Sequence, residues 1–399
     1  MSAKFIQIHT LTNYPASLLN RDDAGFAKRM PFGGAVRTRI SSQCLKRHWR
    51  MYAGEHSLAT VAAPPTVRSR VAFDRFIVEP LVAKGLPRNV VTAAVTRIVA
   101  KLLGSEAKQQ RIQTRRGKGN GAQDEPAGEG AVVATAQVTV LGMPELDYLR
   151  DLAQEIVLAA DGNQDRVAKL LDERMKDQKE LKKNFQALMP GSLEAGLGAA
   201  LFGRMVTGDI LSRCDAAIHV AHAITVHGQM TESDYFTAID DLVREEGEQG
   251  AGLINASELT SGLFYAYLVI DIDGLVGNLG GDRELAGDVT ERLVHIVATV
   301  SPGAKKGSTA PYAYSHLVLV ESGKAQPRTL QNAFLDPVRT NGDIVADAYA
   351  AMQGHVADLD AMYGRNELRA HAGLRSDPYF EQKMPLAELA AWTKRQVIE

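Results

Sequence analysis

Cysteine is nearly absent from this chain of 399 residues, with two in all, Cys44 and Cys214. Two thiols so far apart make neither a disulfide framework nor a CxxC metal knuckle, and they point to a reduced, cytoplasmic setting. No apolar run approaches the roughly 18 residues that span a bilayer. The start, MSAKFIQIHTLTNY, has no long apolar core, so neither a secretory signal nor a membrane anchor is expected. HExxH, GxGxxG and nucleophile-elbow spacings are missing, and "SPGAKKGST" lacks Walker A spacing. No repeat of fixed period is seen. Charge is almost balanced at a formal −2, so binding of nucleic acid would require a local patch.

Such a patch exists. Between Ala24 and Gly54 there are seven Lys/Arg residues and no Asp or Glu. The segment "FGGAVRTRISSQCLKRHWR" combines a Gly-Gly turn, which allows close approach of backbone to a ligand, with a short strand and a helix. Strand periodicity puts Arg37 and Arg39 on one face, with Val36, Thr38 and Ile40 on the other. Ser41 and Ser42 offer caps for a helix starting near Gln43. Gln43, Lys46, Arg47 and Arg50 then form its polar face, and Leu45 and Trp49 anchor the opposite side. Cations, a tight turn and a capped helix start together resemble a phosphate track, against the alternative of a basic face without a ligand. Lys305 and Lys306, in a glycine-containing loop, are further phosphate candidates or else solvated.

The remaining chain reads as follows. "FIQIHTLT" is a buried strand broken by residues 13–16, and "AAIHVAHAITVH" is a strand with Ile218, Val220, Ile224 and Val226 on one face. "YFTAIDDLV" and "LINASELTSG" flank the turn "REEGEQGAG" as a hairpin, and "LFYAYLVIDI" is a strong strand whose Phe264, Tyr265 and Tyr267 are core rather than base-stacking. Asp282 caps a following helix, then "HLVLVE" is a strand, and the C-terminal segments are amphipathic helices. Residues 56–200 are mainly helical, apart from a strand in "AVVATAQVTVLG" and a loop over 117–131. Lys176, Lys179 and Lys183 are expected along one side of a helix that could equally be a solvated, ion-paired face. The element order is βαββαβ with two insertions, the split βαβ order of ferredoxin-like and RNA-recognition sheets, so the class is α+β.

Catalysis has thin support. Asp22-Asp23 and Asp240-Asp241 are paired carboxylates of the kind that hold divalent metal for phosphodiester cleavage, though neighbours in sequence more often cap helices or form ion pairs. His222 and His227 fall on opposite strand faces, which suits no single zinc. Neither a cofactor nor a metal is expected.

"LNRDD", "FGGAVRTRISSQCLKRHWR", "GRMVTG", "HVAHAITVH", "DYFTAIDDL", "SGLFYAY" and "SPGAKK" occur in the same order as in the CasC family, which this chain resembles. CasC is the backbone subunit of the type I-E CRISPR surveillance complex, Cascade. The resemblance fades between about residues 56 and 191 and in the C-terminal tail. It implies a modified ferredoxin-like palm (1–55, 201–227 and 263–399), helical fingers (56–200) and a β-hairpin thumb (228–262). It implies no catalysis, polymerisation along the spacer of CRISPR RNA, and cytoplasmic residence without a membrane. Implied partners are CRISPR RNA, target DNA by way of the guide, further copies of the chain, and the other Cascade subunits: large, small, 5′-handle-binding and 3′-hairpin endoribonuclease. A recruited helicase-nuclease is an indirect partner.

On this resemblance Arg21, Lys28, Ser41, Gln43, Lys46 and Arg50 face the RNA, and Arg47 joins them from the helix face. Met205 matches a wedge at a kinked nucleotide, where residue type alone suggests a core methionine. Thr237 and Leu253 match positions flanking a displaced base. Lys176, Lys179, Lys182 and Lys183 resemble a patch guiding target DNA. A metal-dependent endoribonuclease of the same superfamily is the alternative, because a related type III backbone subunit cuts RNA with a loop aspartate. A generic single-strand-binding protein is the third reading.

Overall fold

The computed structural model describes residues 3–104, 113–114, 131–205, 210–239, 251–375 and 380–399. The class is α+β, and the chain divides into two compact units. The first comprises Met1–Val61, Ile218–Ile272 and Ala286–Glu399; the second comprises Ala62–Ala217 and Asp273–Leu285. Residues 201–227, grouped together from sequence, are thus divided, with 201–217 in the second unit.

The first unit is built on a large, mostly antiparallel sheet. Its elements are β1 (Phe5–Ser17), β2 (Arg29–Phe32), β3 (Ala35–Ile40), α1 (Ser42–Met51), β4 (Ile218–Val220) and β5 (Ala223–Thr225). They continue with β6 (Met230–Ile239), β7 (Ala251–Asp271), α2 (Arg283–Thr299), β8 (Leu317–Gly323), α3 (Ile344–Tyr363), β9 (Glu367–Gly373), β10 (Gln382–Lys383) and α4 (Leu386–Ile398). The strand order is β10-β9-β8-β1-β7-β5-β3-β2, with β4 and β6 also paired to β7. β1 sits centrally between β7 and β8, antiparallel to both, and Ile8 faces Leu268 on one side and Val320 on the other. Every residue from Ile6 to Thr12 is buried, and the polar ones find partners there: His9 hydrogen-bonds Tyr265 and Glu321, and Gln7 accepts the Tyr267 hydroxyl. On one face Leu11, Tyr265, Leu317 and Leu319 pack with Met352 and Val356 of α3.

Three strands differ from the sequence reading. β1 continues past Thr12: Asn13 pairs with Leu263 and Tyr14 with Gly262, and a bulge before Ser17 absorbs Pro15 and Ala16. The segment 216–227 is interrupted at Ala221-His222, giving two short strands that both pair with β7. In the hairpin, β6 begins at Met230, earlier than expected, and the return strand does not stop at Gly262 but continues as β7 to Asp271. Phe264 and Tyr265 of β7 are buried, and the Tyr265 hydroxyl hydrogen-bonds His9 Nδ1 at 2.8 Å, consistent with a core role.

β2 and β3 are joined by Gly33 and Gly34, both at positive φ (57° and 74°), as in a tight hairpin turn. The close backbone approach lies inside the protein: a Cβ on Gly33 would come within 1.8 Å of the Leu335 carbonyl oxygen, whereas Gly34 has nothing within 4 Å. Gly34→Ala should therefore cost only the left-handed strain of about 1–2 kcal/mol. Gly33→Ala adds a backbone clash and should lower the thermal midpoint further; equal midpoints for the two variants would contradict the turn's packing against Leu335.

In the second unit the helices Arg88–Leu103, Met143–Ala159 and Gln164–Arg174 enclose Val95, Ile98, Leu146, Leu149 and Ala153. "AVVATAQVTVLG" is strand only at Ala131–Val132 and Thr139–Gly142. Between them the Thr135 hydroxyl donates to Gln137 O, and Val133 N–H donates to the Asp74 carboxylate, so side chains replace the ladder. Arg204 donates to Glu145 at 2.6 Å, both side chains fully buried, and also to Ser212 O at 2.7 Å.

Candidate nucleic-acid interface

Helix α1 organises the basic region of the first unit. Ser41 is its N-cap, and its hydroxyl accepts the Cys44 N–H at 3.3 Å. Leu45 and Trp49 are buried at 6% and 2% exposure, which fixes the helix rotation and turns Gln43 and Arg47 outward. Lys46 and Arg50 are half-buried, and Arg50 Nε donates to the Lys46 carbonyl. Ser41 N–H donates to Asn20 Oδ1 at 2.9 Å, so the segment leading to exposed Arg21 is tied to the helix start.

Cations from four segments meet around this helix. Lys28 and Arg39 both act on His222; burial and then these two charges hold the imidazole below its ordinary value. His222 Nδ1 accepts the Ser42 N–H at 3.0 Å, which joins β5 to the start of α1. The Cys44 thiol is pushed up by burial, against the pull of Arg47 and Lys28. His48 is held down chiefly by burial; its hydrogen bond with Cys44 O opposes this, and Lys306 and Arg47 add to the depression. Arg39 reaches His222 Nδ1 at 3.4 Å, and Lys28, Arg47 and Lys306 each act electrostatically on a group on or beside α1, although these cations lie up to 278 positions apart. Lys305 precedes the single helical turn Lys306–Thr309 and is half-buried. The arrangement can neutralise successive phosphates.

Not every cation of the basic segment joins this group. Arg37 is fully buried, donating to Phe32 O, Thr225 O and Phe334 O at 2.7–3.1 Å, so it holds the fold together. Arg29 lies 3.8 Å from Glu258, a carboxylate supplied by β7, so the cluster is not wholly uncompensated. Arg39 and His222 are not among the residues that the family resemblance implies to face RNA. Strand alternation marked Arg39, but which of Arg37 and Arg39 is buried depends on Thr225 and Phe334, distant in sequence.

Asp22 does not stand free: its carboxylate accepts the Phe26 N–H at 2.9 Å and closes a turn at Gly25. Asp23 is exposed, and Asp240 and Asp241 fall outside the described residues, as does most of the 117–131 loop. Among the described residues no group of three or more His, Cys, Asp or Glu side chains is placed to hold a metal ion. His222 and His227 do not converge, since His227 Nε2 accepts the Leu263 N–H inside the sheet.

Thr237 pairs with Ile254, and Leu253 pairs with Ala238 one register position away. Met205 belongs to the second unit and is 91% exposed, so it is not a core methionine; the adjacent Arg204–Glu145 pair fixes its backbone. Lys179, Lys182 and Lys183 are exposed on the helix Gln178–Gln186, which buries Leu181 and Phe185. Lys176 is exposed too, but it precedes that helix and does not share its side. Asp177 caps a new helix by accepting the Lys179 and Glu180 N–H groups, which breaks the run.

A family model described as CT1975-like protein matches residues 6–394. Two solved structures share the fold. One is a chain of a "CRISPR RNA-guided surveillance complex, pre-nicking", with TM-score 0.74 and 24% identity over 98% of this chain and 100% of that one. The other is a chain of a "CRISPR RNA-guided surveillance complex", with TM-score 0.64 and 21% identity over 97% and 99%. No curated protein matches the chain.

Proposed function

The chain belongs to the CT1975-like protein family, and from that premise we propose that it is the non-catalytic RNA-binding backbone subunit of a type I-E Cascade surveillance complex in the cytoplasm. Copies assemble along the spacer of a CRISPR RNA and present it in short segments to invading DNA, together with the large, small, 5′-handle-binding and 3′-hairpin subunits. Base pairing then supplies sequence specificity while protein grips the backbone. The observation that carries this reading is the basic surface at α1: Arg47 exposed on the helix, Arg39 beside the His222 that binds the helix start, and Lys28 and Lys306 within electrostatic reach of it. The order β8-β1-β7-β5 supports a modified ferredoxin-like palm, the β6–β7 hairpin supports a thumb, and the second unit supports fingers.

The test is to recover the protein from cells that carry its own CRISPR array and to sequence the copurifying nucleic acid. Guide RNA of uniform length is the expected result; unselected RNA, DNA alone or no nucleic acid would count against the proposal. The same preparation, incubated with magnesium and complementary RNA, should leave that RNA whole. Discrete cuts abolished by Asp23→Ala would instead establish the endoribonuclease.

A further inference from the structure

The stretch from Ser301 to Val320 contains no acidic residue and carries two tyrosines, Tyr312 and Tyr314, that the basic cluster described above does not use. Their exposure is 72% and 74%. Large aromatic rings supply much of the apolar burial in folded proteins and in complexes, so two held in water two residues apart on one loop call for a ligand. The loop is built to hold them still. The Ser301 hydroxyl donates to Ala313 O and accepts the Ala313 N–H, both at 3.0 Å, pinning the residue between the tyrosines. Ser315 N–H donates to Ala298 O, Pro311 is buried, and a Cβ on Gly303 would meet Pro311 Cγ at 2.7 Å.

The chemistry beside the rings is cationic. Lys306 Nζ lies 6.0 Å from the centroid of Tyr312, and the same lysine acts on His48 of α1. Ala304 N–H donates to Leu18 O at 2.8 Å, and two residues later Asn20 holds the start of α1, so the loop adjoins the basic groove through hydrogen bonds. A positively charged track bordered by exposed aromatic rings is the arrangement that binds single-stranded nucleic acid without regard to sequence, because every base has a π-face. We propose that Tyr312 and Tyr314 form a stacking platform for unpaired bases of single-stranded RNA, with Lys306 holding the adjoining phosphate. This rests on the RNA-binding reading above.

The experiment is fluorescence anisotropy of the full-length protein with a labelled single-stranded RNA and with a strand of the same length that lacks bases. Tyr312→Ala/Tyr314→Ala should weaken binding of the ordinary strand roughly tenfold or more and leave the baseless strand unaffected. Its salt dependence should not change, whereas Lys306→Gln should lower the log-log slope by about 0.7 on both strands. Tyr312→Trp/Tyr314→Trp should retain affinity, which separates stacking from misfolding. Unchanged affinity of the alanine variant, or equal weakening on both strands, overturns the platform and leaves the groove intact. Loss of a copurifying protein at constant RNA affinity would reassign the loop to protein docking and likewise overturn it. Failure of the wild type to bind either strand defeats the RNA reading itself and the platform with it.

Discussion

Exchanging Lys28 and Arg47 together for glutamate should reduce affinity for single-stranded RNA by at least about a hundredfold. The estimate assigns each cation a charge-assisted phosphate contact of about 1.5–3 kcal/mol, before the repulsion that the new carboxylates add. These two flank Cys44 from different segments, and Arg47 is exposed while Leu45 and Trp49 hold its helix in place, so the exchange spares the core. The log-log slope of affinity against salt should fall by about 1.4, or 0.7 for each lost phosphate. Lys46→Glu/Arg50→Glu, on the same polar helix face, is a less clean test, since Arg50 Nε already donates to the Lys46 carbonyl. An unchanged slope in the Lys28 and Arg47 variant would place the nucleic acid elsewhere.

The largest effect on stability is expected at Arg369. Its guanidinium donates to Glu321 at 2.7 Å and to both Asp360 oxygens at 2.6 and 2.7 Å, with 1% of the side chain exposed. Glu321 is itself fully buried and also receives Arg328 and His9. Burial pushes its carboxyl upward, but the hydrogen bonds from His9 and Arg328 outweigh this and hold it well below the usual carboxylate range. Arg369→Met leaves two carboxylates short of a partner and should cost about 3–5 kcal/mol in the sheet's unfolding transition. Arg369→Lys should recover only part of that, because an ammonium cannot reproduce the forked contact. Urea titration followed by tryptophan fluorescence measures both, and a loss below about 1 kcal/mol, the level of an exposed pair, would show that the network is not cooperative.

Local chemistry explains why some of this was legible. β1 and the later half of β7 are largely buried and rich in apolar and β-branched residues, and α1 announces itself through Ser41 and the Leu45/Trp49 stripe. Other features depend on partners far along the chain. Arg37 looks like a groove cation until Thr225 and Phe334 surround it, and Gly33 looks like a ligand contact until Leu335 comes against it. Pro15 and Ala16 carry the marks of a strand terminator but sit in a bulge that the ladder passes over. Met205 is of a type found in cores, yet it is exposed next to a buried ion pair made by Arg204 and Glu145. Arg39, Arg47 and Lys306 could each be suspected alone, but only the fold brings them to the same helix.

The 21 residues of β7 carry a mechanical consequence. At about 3.3 Å per residue the strand is about 70 Å long, and it pairs with β6 at its beginning and with β1 at its end. Apart from a register shift opposite Ala238 and Ile239, its pairing runs in one phase from Leu253 in the hairpin into the centre of the sheet. A single-residue insertion in the hairpin half would invert that phase on one side, whereas a two-residue insertion would preserve it. Because one strand runs through both, the roll of the hairpin is tied to the packing of β7 in the sheet.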